Sequence, residues 1–115
     1  MDQSEILIGS KKTGRNFIHV DDVCDGIIKS INQKGYNIFN LEGDEFINLE
    51  NLIKKSENIL KKKIKIIEKD KNKPSIRLVS NKYSKKKLKW QPKYNLDKGI
   101  KNLLKYKKKL IKNSI

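Results

Sequence analysis

The sequence predicts a mixed α/β fold, because short runs of strand-forming residues alternate with segments spaced like amphipathic helices. Residues 17–20 are rich in strand formers, and Val23, Ile27 and Ile31 follow at helical spacing as a candidate inward stripe. A chain of 115 residues has room for one domain at most, with a modest core. The expected architecture is therefore small and built from short elements.

The same alternation continues to the end of the chain. The pattern predicts strands at 5–9, 17–20, 36–41 and 64–68, short extended pieces at 46–47 and 77–80, and helices at 21–32, 48–60, 81–88 and 95–105. An oxygen-bearing side chain stands at each predicted helix start, and these caps are Asp21, Asn48, Asn81 and Asn95. Residues 106–115 form a lysine-rich tail that we expect to fray.

The charge is strongly positive, with 28 Lys and Arg against 13 Asp and Glu, for a net charge of +15. This charge is compatible with an alternative function, that of a small lysine-rich nucleic-acid-binding protein, because basic surfaces bind phosphate backbones. Two observations weigh against it. Only Arg15 and Arg77 are arginine, the residue that base readout favours, and the lysines accompany heavy use of Ile and Asn, as in proteins from AT-rich genomes.

The cysteine content and the lengths of the hydrophobic runs limit the cellular compartments in which we expect the protein. Cys24 is the only cysteine, which excludes a disulfide framework and a cysteine-based metal site. The sequence shows no signal-peptide pattern and no apolar run long enough to cross a bilayer. We therefore expect a cytoplasmic protein.

The stretch Arg15–Val23 reads Arg-Asn-Phe-Ile-His-Val-Asp-Asp-Val, and it resembles a segment of the extended short-chain dehydrogenases. These are the NAD-dependent nucleotide-sugar epimerases and dehydratases. Further stretches agree in order and spacing, namely 37–41, 47–53, 70–77, 88–92 and 96–100. The resemblance covers nearly the whole chain.

The resemblance implies the C-terminal, substrate-binding part of a Rossmann-type enzyme, without its N-terminal dinucleotide-binding half. Residues 1–105 would form part of the substrate-binding region, and the strand and helix at about 36–61 would pack on the cofactor domain. The implied partners are a nucleotide-sugar substrate and either the missing cofactor-binding half or a partner chain. NAD would belong to the complete enzyme, and we expect this chain to bind no cofactor by itself.

Arg15 and Arg77 are the candidate substrate-binding residues. A guanidinium meets a phosphate through two parallel hydrogen bonds, and the resemblance implies that these two arginines clamp the substrate diphosphate. The alternative is that each is an ordinary surface arginine, with Arg15 paired to the nearby Asp21 and Asp22.

The catalytic signature of the family is Tyr-x-x-x-Lys, and two such spacings occur here, Tyr83 with Lys87 and Tyr94 with Lys98. Both lie after Arg15, whereas the family's pair lies well before it, so we assign catalysis to neither. The glycine-rich dinucleotide fingerprint is also absent from the sequence. We therefore expect no catalytic residues here and no activity by this chain alone.

Three other residue types that can carry chemistry are expected to have structural roles instead. The lone His19 is expected to be packed, and Asp21 with Asp22 to cap a helix rather than to act as an acid–base pair. Trp90 is expected to be a core anchor near the surface. The turn Asn40–Asp44 departs from the family pattern Asn-Ile-Gly-x-Gly, since acids replace both expected glycines.

The resemblance also leads us to expect marginal stability. Ile38 and the apolar face of the helix at 48–60 would lack the sheet that covers them in a complete enzyme, leaving an exposed apolar patch. That helix face comprises Leu49, Leu52, Ile53 and Leu60.

Overall fold

The computed structural model describes residues 5–113, with side chains described as far as residue 111. In that part of the chain the elements are β1 (Glu5–Ile8), β2 (Gly14–Arg15), α1 (Val20–Ser30), β3 (Ile47–Asn48), α2 (Leu49–Leu60), β4 (Lys65–Glu68), α3 (Lys82–Leu88) and α4 (Leu96–Asn113). The predicted mixed α/β class is confirmed. No helix among these residues is long and apolar enough to cross a membrane.

Two small sheets organise the strands. β1 pairs with β4 in parallel, from Glu5 opposite Lys65 to Ile8 opposite Glu68. β2 pairs with β3 in the antiparallel direction. On its other side, Gly14 of β2 forms an isolated parallel bridge with Ile76. The predicted strands at 5–9 and 64–68 are therefore confirmed.

The predicted strand at 17–20 is wrong, because α1 already begins at Val20. The predicted cap is also wrong. His19 occupies the N-cap position, and its Nδ1 accepts a hydrogen bond from the amide of Asp21 at 3.0 Å. A neutral imidazole nitrogen can accept from a free helix amide as a carboxylate does, so sequence preference alone favoured the wrong residue.

The side of α1 that is buried differs from the predicted stripe. Asp22 and Gly26 are its buried residues, whereas Ile27 is 52% exposed and Ile31 is 71% exposed. Gly26 lies so close to Leu41 that an added Cβ would come within 2.6 Å of that side chain. Helical periodicity identifies an apolar stripe but not the partner that covers it, and the described residues leave this stripe open.

The helices α2 and α4 pack on each other, and their predicted caps are confirmed. Asn48 accepts from the Asn51 amide and Asn95 accepts from the Lys98 amide, both at 2.8 Å. Ile53 of α2 is only 7% exposed. The expectation that the α2 face lies open is therefore wrong, because α4 covers it.

Two further differences concern residues 36–41 and the C-terminal tail. The predicted strand at 36–41 is absent from the described sheets, although Ile38 is 65% exposed as expected. The predicted frayed tail is instead the continuation of α4 to Asn113. Residues 114 and 115 of that tail, like residues 1–4, lie outside the described residues.

Candidate functional site

The structure brings the backbones of Arg15 and Arg77 side by side. The Gly14 amide donates to the Ser75 carbonyl at 3.0 Å, and the Arg77 amide donates to the Gly14 carbonyl at 3.3 Å. These bonds form the parallel bridge of Gly14 with Ile76, and in this register the next residues along the two segments are the two arginines. Residues that are 62 positions apart in the sequence thus become neighbours.

The side chain of Arg15 is held in place by the neighbouring segment. Its Nη1 donates to the carbonyls of Gly14 and Ser75, both at 2.7 Å, and its Nη2 donates to the Ser75 hydroxyl at 2.9 Å. Among the described residues it therefore bonds to Gly14 and Ser75 and not to Asp21 or Asp22, so the ion pair considered from the sequence is not formed.

Arg77 differs from Arg15 in its surroundings. Its side chain is exposed and makes no hydrogen bond or ion pair to the residues that the structure describes. Two arginines thus lie at neighbouring backbone positions, one with its guanidinium positioned and one with no described side-chain partner. Guanidinium groups carried by neighbouring backbone positions suit a ligand with at least two negative charges close together.

Asp22 joins α1 to the loop that precedes α4. Its two carboxylate oxygens accept from the amides of Lys93 and Tyr94, at 2.9 and 3.0 Å, and its carbonyl accepts from Trp90 Nε1 at 2.9 Å. The predicted helix-capping role of Asp22 is therefore wrong, since the amides that donate to its carboxylate belong to another segment. The prediction that Trp90 is a core anchor is confirmed, with 1% of its surface exposed.

His19 is packed, as predicted. Its ring stacks on Tyr94 with centroids 4.0 Å apart, and its Nε2 lies 3.1 Å from Asn102 Oδ1. Because Nδ1 accepts the Asp21 amide, the neutral ring carries its proton on Nε2 and donates to Asn102. Both nitrogens are thereby used in structural contacts.

The tyrosines of the two Tyr-x-x-x-Lys spacings also make structural contacts. Tyr83 donates its hydroxyl to Asn37. Tyr94 donates to Asp21 at 3.3 Å, and Lys98 Nζ lies 5.1 Å from the centre of the Tyr94 ring. Removal from water, followed by the negative charge of Asp21, raises the pKa of Tyr94, which keeps the phenol protonated.

A polar cluster around Asp44 was not foreseen from the sequence. Asp44 Oδ1 accepts from Asn81 at 3.0 Å and pairs with Lys85, and Oδ2 accepts from Gln91 at 2.8 Å. Burial alone would raise the pKa of Asp44, but the hydrogen bonds from Asn81, Lys85 and Gln91 and the charge of Lys85 lower it. The sequence signal was the departure from glycine in this turn.

This cluster predicts a loss of stability in acid. Folding lowers the pKa of Asp44 from its ordinary value of 3.8. The ionised carboxylate therefore contributes fully to the free energy of unfolding at pH values above 3.8, and this contribution disappears as the pH falls through the folded pKa. Urea unfolding followed by circular dichroism between pH 6 and pH 2.5 measures this. We expect Asp44→Asn to reduce the dependence of the unfolding free energy on pH in the acid range, which we call the acid limb. Asp25→Asn, in an exposed helical pair, should leave the acid limb nearly unchanged. Equal acid limbs for both variants would contradict the prediction.

The starts of α1 and α2 do not fit the pyrophosphate of a dinucleotide. Such a site needs free amides in a glycine-rich loop and no opposing charge. The start of α1 is capped by His19 and carries Asp21 and Asp22, and the start of α2 is capped by Asn48 and carries Glu50. Their negative charges oppose an anionic ligand at both positions.

A cavity between packed elements is separate from the arginine pair. It has a volume of about 360 Å³ and lies between residues 17–19, the turn at 43–47, residues 92–96 and α4. Neither Arg15 nor Arg77 lines it. Most of its lining is apolar, so it matches a gap between packed elements rather than a site for a phosphate.

Comparison with known proteins gives a relative by sequence. The UDP-glucuronate 4-epimerase of Thermodesulfobacterium geofontis is 29% identical over 108 residues, which cover 91% of this chain and 33% of that protein. The chain therefore spans about a third of the length of this curated relative. No protein-family model matches the chain.

Solved structures share the fold over a similar span. The UDP-glucose 4-epimerase of Thermotoga maritima, solved with UDP-glucose, has a TM-score of 0.81 at 23% identity and covers 93% of this chain and 36% of that one. The dTDP-glucose 4,6-dehydratase of Bacillus anthracis, in complex with NAD, has a TM-score of 0.78 at 16% identity, with 92% and 35% covered. The chain has the fold of about a third of each enzyme.

Proposed function

From the confirmed resemblance of this chain to about a third of an NAD-dependent nucleotide-sugar epimerase or dehydratase, we propose that it is the C-terminal, nucleotide-sugar-binding portion of such an enzyme. In this proposal Arg15 and Arg77 bind the diphosphate of the substrate. In this proposal the chain binds the nucleotide sugar and is inactive by itself.

The adjacency of the two arginines supports this proposal more than any other observation. The bridge at Gly14 sets the two segments next to each other, and Ser75 orients the Arg15 guanidinium. A diphosphate carries two neighbouring negative groups, and two planar guanidinium groups match it better than the same number of lysine point charges. The relative's name, a UDP-glucuronate 4-epimerase, supports a uridine diphosphate sugar as the substrate class.

Replacing Arg77 with alanine is expected to weaken UDP-glucuronic acid binding by roughly 1.5–3 kcal/mol, the usual scale of a charged hydrogen bond. Isothermal titration calorimetry of the purified chain measures this change. Arg77 suits the test because its side chain supports no described contact, so the variant should fold normally. Lys82→Ala, which removes the same charge from an exposed position, is the matched control and should bind like the wild type.

Arg77→Lys sharpens this test, because lysine keeps the charge and loses the planar fork. We expect it to recover only part of the lost affinity. If Arg15→Ala and Arg77→Ala both bind with unchanged affinity, the proposal is wrong. If the Lys82 control weakens binding as much as Arg77→Ala, the interaction is a response to net charge, as a nucleic-acid-binding protein would show.

The chain alone is also expected not to bind NAD. No glycine-rich loop precedes a helix in the sequence, and the starts of α1 and α2 carry acids. Titration of NAD into the purified chain, followed by calorimetry, should give no saturable heat. Saturable binding would contradict this prediction. It would also contradict the proposal that this chain binds the nucleotide sugar while another part of the enzyme binds NAD.

A further inference from the structure

The second half of α4 keeps an apolar stripe that the described residues do not bury. Leu104 lies toward α2, where it lines a gap together with Leu60. Tyr106 and Leu110 follow Leu103 at helical spacing on another side of the helix, and all three are more than half exposed. The segment that the sequence predicts to fray is therefore an amphipathic helix with an open apolar side.

The same part of α4 is strongly basic. Every charged residue from 98 to 113 is a lysine, and these lysines stand at positions 98, 101, 105, 107, 108, 109 and 112. The acid of this helix, Asp97, lies in the first turn and pairs with Lys55 at 3.2 Å. Beyond its first turn, α4 therefore carries positive charge and no negative charge.

The exposed apolar side chains and the lysines share one surface. Leu103, Lys105, Tyr106 and Lys109 line the same open depression next to the start of α1, with Asp21 as the one acid of that lining. Lys105 and Lys109 are one helical turn apart, so their apolar stems can lie along the stripe while their ammonium groups border it. The surface thus combines apolar area with an excess of positive charge.

Exposed apolar residues also occur on other elements, but the charge around them differs. In α1, where Ile27, Ile28 and Ile31 are exposed, three aspartates stand against one lysine. The short helix α3 is basic, but Tyr83 is its one exposed large apolar residue in the described chain. Among the described helices, α4 is therefore the one in which an exposed apolar stripe and a row of lysines coincide.

We propose that α4 binds the surface of an anionic lipid bilayer and lies parallel to it. Leu103, Tyr106 and Leu110 enter the boundary between headgroups and acyl chains, and the neighbouring lysines contact the lipid phosphates. Basic amphipathic helices bind in this way because apolar burial and attraction to anionic lipids act together. The helix stays at the surface, since no described helix could span a bilayer.

This inference is independent of the proposed nucleotide-sugar site, because neither Arg15 nor Arg77 takes part in it. Cosedimentation of the whole 115-residue chain with sucrose-loaded vesicles tests it. We expect at least about tenfold tighter binding to vesicles of equal parts phosphatidylglycerol and phosphatidylcholine than to phosphatidylcholine alone. Added salt should weaken the binding, because it screens the lysines.

Two variants of α4 separate the apolar and the charged contributions. Leu110→Ser removes an exposed apolar side chain without changing the charge, and Lys105→Gln combined with Lys109→Gln removes two charges. Each should weaken vesicle binding by about tenfold or more. The matched controls are Ile28→Ser on α1 and Lys34→Gln combined with Lys69→Gln, all at exposed positions, and they should bind like the wild type.

Three results would overturn the proposal. They are equal binding to the two vesicle compositions, unchanged binding by Leu110→Ser, and equal weakening by Leu110→Ser and Ile28→Ser. Titration with duplex DNA identifies the case in which charge alone is responsible. There the double lysine variant would lose affinity for DNA and for vesicles alike, and Leu110→Ser would lose neither. Circular dichroism of each variant checks that the helix content is retained.

Discussion

Replacing Trp90 with alanine is expected to lower the free energy of unfolding by about 3–5 kcal/mol, the usual cost of removing a buried large aromatic side chain. Trp90 is 1% exposed, and its Nε1 donates to the carbonyl of Asp22 at 2.9 Å. The substitution leaves a cavity and frees a buried carbonyl at the junction between α1 and the loop before α4. Urea unfolding monitored by circular dichroism at 222 nm gives the change.

Two controls separate packing from the hydrogen bond of Trp90. Trp90→Phe keeps much of the ring and loses the same donor as Trp90→Ala, so it should cost less, and the difference between the two variants reports the packing of the ring. Tyr36→Ala removes an aromatic ring that is almost fully exposed and should change stability by less than about 0.5 kcal/mol. If Trp90→Ala unfolds at the same urea concentration as Tyr36→Ala, Trp90 is not the anchor of this core.

Replacing Gly43 with alanine is expected to cost about 3 kcal/mol, at the upper end of ordinary overpacking. A Cβ at this position would lie 1.9 Å from the carbonyl oxygen of Phe17, which is main chain and cannot rotate aside. The two segments are joined there, since Asn16 Nδ2 donates to the Gly43 carbonyl at 3.1 Å. Relief of the clash would require this hydrogen bond and the backbone around it to shift.

Gly9→Ala is the matched control for Gly43→Ala. No atom lies within 4 Å of a Cβ built on Gly9, so the change should be neutral or stabilise the fold by up to about 0.5 kcal/mol. Differential scanning calorimetry of both variants compares them directly. Equal melting temperatures would show that the chain near Gly43 relaxes freely and that close approach is not what requires glycine there.

The sequence located most helices because their local signals agree with the fold. Asn48 and Asn95 bond to helix amides at the predicted starts, and α3 follows Asn81. The side chain of Asn81, however, bonds to Glu42 and Asp44 rather than to α3. A capping residue type therefore indicated where a helix begins, whereas its hydrogen-bond partner depended on what packs nearby.

For the candidate site, the sequence identified Arg15 and Arg77 as rare residue types within motifs, but not their adjacency. The parallel bridge between Gly14 and Ile76 sets that adjacency. A backbone bridge between residues 62 positions apart leaves no periodicity in the sequence. Their role in binding a diphosphate stays a prediction until the titrations are made.

The sequence by itself determined the mixed α/β class, the approximate helix positions and the two arginines, because these depend on residue type and short-range spacing. The tertiary structure alone decided that His19 caps α1, that Asp22 binds a distant loop and that Gly43 approaches the main chain. It also decided which apolar stripe is covered. Periodicity shows that a helix has an apolar face, but only the arrangement of neighbouring elements determines whether the same chain buries it.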